Sequence, residues 1–280
     1  ILIVQGKYQF KPALPFVPGS EYAGVVEALG EGVTNLKVGD AVAAMGSTGG
    51  FAAHALAPAK QVLKLPPGFA LEDAAAFALT YGTTHHALVD RAALKAGETV
   101  LVLGAAGGVG SSAIQVAKAA GAKVIAAAST DAKCAFCRTL GADATLNYAT
   151  QDVRAVLKEL TGGKGPDVVY DPVGGDLAEP VFRSIAWRGR YLVIGFAQGG
   201  IPSLPLHLPL GEGASIVGVF WGDFKRRERE ANARGMAELA QWYATGRIKP
   251  AIGLRLPMRE LPAAFARMAT RKVQGKGVMV

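Results

Sequence analysis

Val100-Leu101-Val102-Leu103-Gly104-Ala105-Ala106-Gly107-Gly108-Val109-Gly110, followed by Ser111 and a helical pattern, is the stretch that decides the fold. An apolar strand runs into a glycine-rich turn and then into a helix. That order leaves free backbone N–H groups at a helix N-terminus, where the positive end of the helix dipole adds to them. Together they hold a pyrophosphate. Gly107 allows a tight turn, Gly108 takes a Cβ out of the approach path, and Gly110 lets helix and strand pack closely. A bare glycine triplet is weak evidence; strand, turn and helix in this order are strong evidence.

The surroundings agree with that reading. From Thr99 the chain alternates: strand 99–103, helix 108–120, strand 123–128, helix 131–140, short strand 144–146, helix 151–160, strand 167–170, helix 176–187 and strand 190–195. Apolar strands separated by helices of this length indicate right-handed βαβ units and a parallel sheet. Another strand at 215–220 and a helix at 223–245 follow, and 211–214 reads either as a turn or as a poorly ordered join. Upstream the texture differs. Strand candidates at 22–29, 41–45 and 51–57 are punctuated by glycine turns, as in a β-rich lobe. Pro66-Pro67-Gly68 ends it, and helical patterns occupy 71–94. The tail, 251–280, reads as strand, helix, strand returning to that lobe.

Composition narrows the function classes. The 280 residues are 50% hydrophobic and 19% charged, ordinary for a globular protein able to bury a sizeable core. No apolar run reaches the roughly 18 residues of a membrane span, so no membrane partner is expected. Ile1 to Gln5 lacks the basic start and cleavage site of a signal peptide. The net charge of +8 permits an anionic ligand or nucleic acid. Its densest run, Lys225-Arg226-Arg227-Glu228-Arg229-Glu230, mixes signs as a solvated helix face does, which makes nucleic acid an unlikely partner. The two cysteines, Cys134 and Cys137, suit a reducing cytoplasm. Their CxxC spacing lacks the further ligands that zinc requires, and one helical turn apart they read as semi-buried small hydrophobes. His85 and His86 point roughly 100° apart on a helix, a poor arrangement for shared ligation.

A second position bears on the cofactor. About 20 residues past such a glycine turn, NAD-preferring sites place an acid on the ribose 2′-OH. Here strand 123–128 ends at Ser129-Thr130, with no acid at its tip. Ser129 can donate to a 2′-phosphate and Lys133, one turn on, can neutralise it; a solvated surface lysine is the plainer alternative. Asp131 complicates the picture, although it fits a helix cap equally well. The balance favours NADPH. Asp171 ends a strand, and capping the following turn explains it.

These residues resemble the zinc-independent quinone oxidoreductases of the medium-chain dehydrogenase/reductase superfamily, nearest the quinone oxidoreductase-like protein 2 group. The resemblance covers the whole chain. It is carried by Pro18-Gly19-Ser20-Glu21-Tyr22-Ala23-Gly24-Val25-Val26, Val38-Gly39-Asp40-Ala41-Val42, the 105–110 turn, Val169-Tyr170-Asp171 and Gly275-Lys276-Gly277-Val278. It implies an α/β fold, a Rossmann doubly wound parallel sheet (77–248) inserted in a GroES-like β-rich substrate domain (1–76 and 249–280). The N-terminal part of that domain would lie upstream of Ile1. Where zinc-dependent relatives carry Gly-His-Glu, this chain has Gly19-Ser20-Glu21, so no metal is expected. The resemblance implies Ala106, Gly107, Gly108 and Val109 at the pyrophosphate, with Ser129, Lys133, Tyr148 and Arg271 at the adenosine phosphate. It places Thr83, Gly195, Phe196, Phe220 and Trp221 near the nicotinamide, and Tyr8 as a possible catalytic phenol. Tyr148 and Trp221 also read as core aromatics, Arg271 as a surface cation and Tyr8 as a loop residue. Glu21 and Asp40 read as structural partners.

The resulting expectation is a cytoplasmic NADPH-dependent reductase passing hydride to a small-molecule acceptor such as a quinone. It would be a homodimer joined through the 215–220 strand. The rivals are an enoyl-thioester or alkenal reductase using the same cofactor, and a non-catalytic NADPH-binding relative of crystallin-like or RNA-binding type.

Overall fold

A computed structural model describes residues 3–6 and 11–280. The chain divides into two compact units, one built from the residues up to Leu79 together with Ile252–Val280, the other from Thr80–Ala251.

In the first unit, β1 (Glu21–Val25), β2 (Ala41–Met45) and β3 (Val62–Lys64) form an antiparallel sheet with β2 in the middle. Cα partners run from Glu21↔Met45 to Val25↔Ala41. The expected strand at 51–57 is absent; residues 51–54 are bends and 55–57 are irregular. Its Gly50 neighbour donates to the Gly19 carbonyl and Phe51 to Pro18 O. The backbone there is spent on holding a turn, not on a ladder. The short β3 had no periodicity to announce it. Helix α1 (Leu71–Ala74) closes this part of the chain, and α2 (Ala78–His85) runs on into a wider-wound turn, His86–Arg91, so the helical pattern at 71–94 is broken once, at 75–77, and ends at Arg91.

The second unit holds six parallel strands: β4 (Thr99–Val102), β5 (Lys123–Ala128), β6 (Ala144–Asn147), β7 (Val168–Asp171), β8 (Arg190–Val193) and β9 (Ser215–Gly218). Their order is β6-β5-β4-β7-β8-β9. Helices α3 (Gly108–Ala119), α4 (Asp131–Thr139), α5 (Val153–Leu160), α6 (Ala178–Phe182), α7 (His207–Glu212), α8 (Trp221–Arg227) and α9 (Arg229–Ala244) connect and cover them. Parallel strands covered on both faces read as continuous apolar runs, and Val100, Leu101, Val102, Val168, Val169 and Tyr170 are all fully buried. Leu101, Ile125, Leu146, Phe182 and Tyr191 meet in one core cluster.

The helix expected at 176–187 shrinks to a 3₁₀ turn, Gly175–Leu177, and the five-residue α6. The preceding Gly174 and Gly175 both have positive φ and spend the start of that span on a loop. The 211–214 join is the end of a helix, with Gly213 as its left-handed cap. The helix expected at 223–245 starts at Trp221 and breaks at Glu228. That break folds α9 back so that Asn232 Oδ1 accepts from Trp221 Nε1 at 2.9 Å. Back in the first unit, β10 (Ile252–Leu256), α10 (Leu261–Ala269) and β11 (Lys276–Met279) form the tail, with β10 and β11 parallel.

Candidate functional site

The sheet order reverses between β4 and β7, and in open α/β sheets ligands collect at that switch point, beyond the carboxyl ends of the strands. The glycine turn leaves β4 at this point. Gly104 has a φ of 57°. A Cβ on Gly110 would stand 2.4 Å from Gly104 O and 2.6 Å from Ala105 Cα, so α3 lies flush on the turn only because Gly110 has none. Gly107 is the N-cap residue, and no side chain caps the helix. The hydroxyls of Ser111 and Ser112 turn back onto Gly108 O (2.9 Å) and Val109 O (2.8 Å). The opening amides of α3 are thus presented as backbone donors for an anion, backed by the helix dipole.

A buried hydroxyl network fixes that helix. Thr84 Oγ1 is 2.8 Å from Ser112 Oγ and 2.9 Å from the Tyr170 hydroxyl. Burial pushes the Tyr170 phenol far above its ordinary range, so it stays protonated.

Beside the turn, at the tip of β5, Thr130 caps α4 by accepting from the Lys133 amide at 3.3 Å. The Lys133 ammonium donates to Ser129 Oγ at 3.2 Å. Asp131 is not the cap. Its Oδ1 accepts from Asn147 Nδ2 at 2.7 Å, across the β5–β6 pairing. Tyr148 follows directly, its amide donating to Ala128 O at 3.1 Å and its half-buried ring resting on the core. Ser129, Lys133 and Tyr148 therefore converge on one corner of the sheet.

On the far side of the turn, Asp171 ends β7 almost completely buried. Its Oδ1 accepts from the amides of Val173 (2.7 Å) and Gly174 (2.9 Å), as the capping reading requires. Its Oδ2 accepts a short hydrogen bond from the Tyr191 hydroxyl. Burial, then the Asp171 carboxylate, drive that phenol's pKa far up. The loop so held packs under Phe196, whose ring edge stands 2.9 Å from where a Gly174 Cβ would be. Gly195 and the partly exposed Phe196 leave β8, and Phe220, 68% exposed, leaves β9. Thr83 is half-buried on α2.

Most of the expected residues thus line one edge of one sheet. Trp221 does not fit there. Only 5% of it is exposed, and its ring fills the space where a Gly82 Cβ would sit, at 2.4 Å. The core-aromatic alternative describes it. Arg271 belongs to the other unit, just beyond α10, with a φ of 56°. Tyr8 lies outside the described residues. Glu21 and Asp40 are occupied by lysines, Lys276 Nζ at 3.1 Å and Lys64 Nζ at 2.7 Å. The Lys64 ammonium holds the Asp40 carboxyl below its ordinary range. Three positions escaped sequence reasoning: Thr84, Tyr191 and Asn147. Each acts through a partner at least 16 residues away, and no local motif marks them.

Two family patterns match the chain: the alcohol dehydrogenase GroES-like domain over residues 1–67 and the zinc-binding dehydrogenase over 108–239. Quinone oxidoreductase-like protein 2 of Bos taurus is 38% identical over 277 residues, spanning 99% of this chain and 79% of the relative. A mycobacterial protein solved in complex with NADPH superposes with a TM-score of 0.90 at 33% identity, covering 100% of this chain and 86% of that one. Escherichia coli quinone oxidoreductase, also solved with NADPH, superposes with a TM-score of 0.87 at 30% identity, covering 100% and 86%.

Proposed function

Since the chain belongs to the quinone oxidoreductase family of the medium-chain dehydrogenase/reductase superfamily, we propose that it is an NADPH-dependent reductase of quinones or similar electron-poor carbonyl compounds. The observation that carries this reading is the uncapped N-terminus of α3 at the switch point, flanked by the Ser129–Lys133 pair. The donors fit the group. The amides opening α3, at Gly108 and Val109, would hold the pyrophosphate, and Ser129, Lys133 and Tyr148 the 2′-phosphate. When bound, NADPH supplies a hydride to the acceptor. Gly195, Phe196, Phe220 and Thr83 would shape the nicotinamide end, Phe196 with an apolar ring that displaces water. The chain contributes position and a water-poor wall.

The reading includes no metal. Ser20, at the position zinc-dependent relatives fill with histidine, donates to Ser47 O at 3.2 Å. Burial pushes the Cys137 thiol up to about 12 and the Cys134 thiol in the same direction, which disfavours the thiolate that zinc binds. Two buried free thiols also suit a reducing cytoplasm. Among the described residues no helix is long and apolar enough to cross a membrane. Within this reading Thr80–Ala251 is the dinucleotide-binding domain and the remainder the substrate domain.

A second copy of the chain would pair along β9. This edge strand has one neighbour, β8, and Ile216 on it is 43% exposed. Such an edge offers unpaired backbone groups to another strand. Light scattering should find a dimer, and Ile216→Lys should shift it toward monomer; a monomeric wild type would discard this assembly.

The decisive assay follows 340 nm absorbance with NADPH and NADH against quinones, enals and acyl-CoA acceptors. NADPH oxidation with quinones supports the proposal. Turnover confined to enals or acyl-CoA would reassign the acceptor, equal use of NADH would overturn the 2′-phosphate site, and inactivity throughout would leave a binding protein.

A further inference from the structure

We propose that Asn147 is a specificity-determining residue that acts through Asp131. By holding the Asp131 carboxylate away from the tip of β5, it makes that corner of the sheet selective for a 2′-phosphorylated dinucleotide. The inference rests on the dinucleotide reading above and deepens it.

Asp131 sits two residues after Ser129 and two before Lys133, in the first turn of α4. A carboxylate free to swing there would accept from a ribose 2′-OH and repel a 2′-phosphate, the opposite of what Lys133 does. In the structure it is not free. Its Oδ1 takes a 2.7 Å hydrogen bond from Asn147 Nδ2. The direction of that amide is dictated, because Asn147 Oδ1 accepts from the Ala149 amide at 3.1 Å, which leaves the NH₂ to face Asp131. Asn147 is itself held. It is 5% exposed, pairs with Ala128 across the sheet, and its amide donates to Gln151 Oε1 at 2.7 Å. Lys133 meanwhile takes Ser129, not its neighbouring carboxylate. The acid is held by an amide without consuming the cation, and the positive charge is left for an incoming phosphate.

The test is a binding cycle, read by calorimetry on the full chain with NADPH, NADH, 2′,5′-ADP and 5′-AMP. The variants are Asn147→Ala, Asp131→Ala and the double substitution. Wild type should prefer the 2′-phosphorylated member of each pair. Asn147→Ala should weaken the phosphorylated ligands about tenfold and shift NADH and 5′-AMP less than about twofold. The double variant should recover wild-type preference, since the released carboxylate is gone. Asp131→Ala alone should change little, because its carboxylate is already held. Asn147→Asp keeps the acceptor for Ala149, loses the donor and adds a like charge beside Asp131, so it should weaken the phosphorylated ligands at least about tenfold if Asn147→Ala folds poorly. Equal weakening of all four ligands, no recovery in the double variant, or a tenfold gain in NADPH affinity from Asp131→Ala alone would each overturn the role of Asn147. A wild type indifferent to the 2′-phosphate would sink the NADPH reading and this inference with it.

Discussion

The two sheets of this molecule use similar short apolar strands to opposite ends. In the parallel sheet β4 and β7 are buried along almost their whole length, whereas β1 is half-covered throughout and ends exposed at Val25. Two glycines show the difference. Gly110, at the mouth of the parallel sheet, has backbone atoms where a Cβ would go, while Gly30, after β1, has open space. Two histidines show the same difference. In the ion pair of His54 and Glu27 both side chains are more than two-thirds exposed, but the side chain of His86 in the Thr80–Ala251 unit is only 7% exposed. The inner strands of a sheet covered on both faces have almost every side chain against a neighbour; a half-covered strand leaves many answering only to water.

That contrast breaks most readily at the glycines. Gly110→Ala should lift α3 off the turn, cost on the order of 3 kcal/mol of stability and cut turnover roughly 10²-fold. Gly30→Ala should stay within about 0.5 kcal/mol. Equal effects, measured by urea unfolding, would erase the distinction. Next in size is Asp171→Asn, which keeps one carbonyl oxygen where the buried carboxylate accepts three donors. It should cost about 2 kcal/mol and loosen the 172–175 loop, seen as faster amide exchange at Val173 and Gly174.

The histidines give a pH test. Burial holds the His86 imidazole below its ordinary 6.5, against the pull of Asp90 and Glu228 and with Arg91 reinforcing the burial. Its Nδ1 is 2.7 Å from Asp90 Oδ2 without the alignment of a hydrogen bond, and its ring stacks on Phe224 at 3.9 Å. The unfolded chain therefore takes up this proton first as pH falls. The contribution is fully present above about 6.5 and is lost below it. Melting temperature should drop on acidification through that range, less steeply in His86→Phe. Smallest of all, Cys137, fully buried with its thiol pushed up to about 12, should resist iodoacetamide at pH 8 until the protein unfolds. Prompt alkylation of the native protein would show that this interior is open.

The same contrast explains which expectations survived. Strands β4, β5 and β7 were legible because buried parallel strands need unbroken apolar runs, which few other structures produce. The 51–57 segment was misread because a half-exposed lobe tolerates the same apolar–polar mixture in bends as in strands. In the site, the glycine turn and the Ser129–Lys133 pair are each contained within a few consecutive residues, so each is readable as a local pattern. Asp131 was ambiguous because a carboxylate's effect depends on what holds it, and its holder stands 16 residues away.

From the order of its residues alone this chain reveals a parallel sheet with a glycine turn leading into a helix, since backbone geometry and glycine placement are local properties. Only the folded structure decided which polar side chains face that turn. It assigned Trp221 to the core, gave Asp171 to Tyr191 and tied Asp131 to Asn147. Hydrogen bonds between distant segments exist only once strands have paired in register, and no local pattern encodes that.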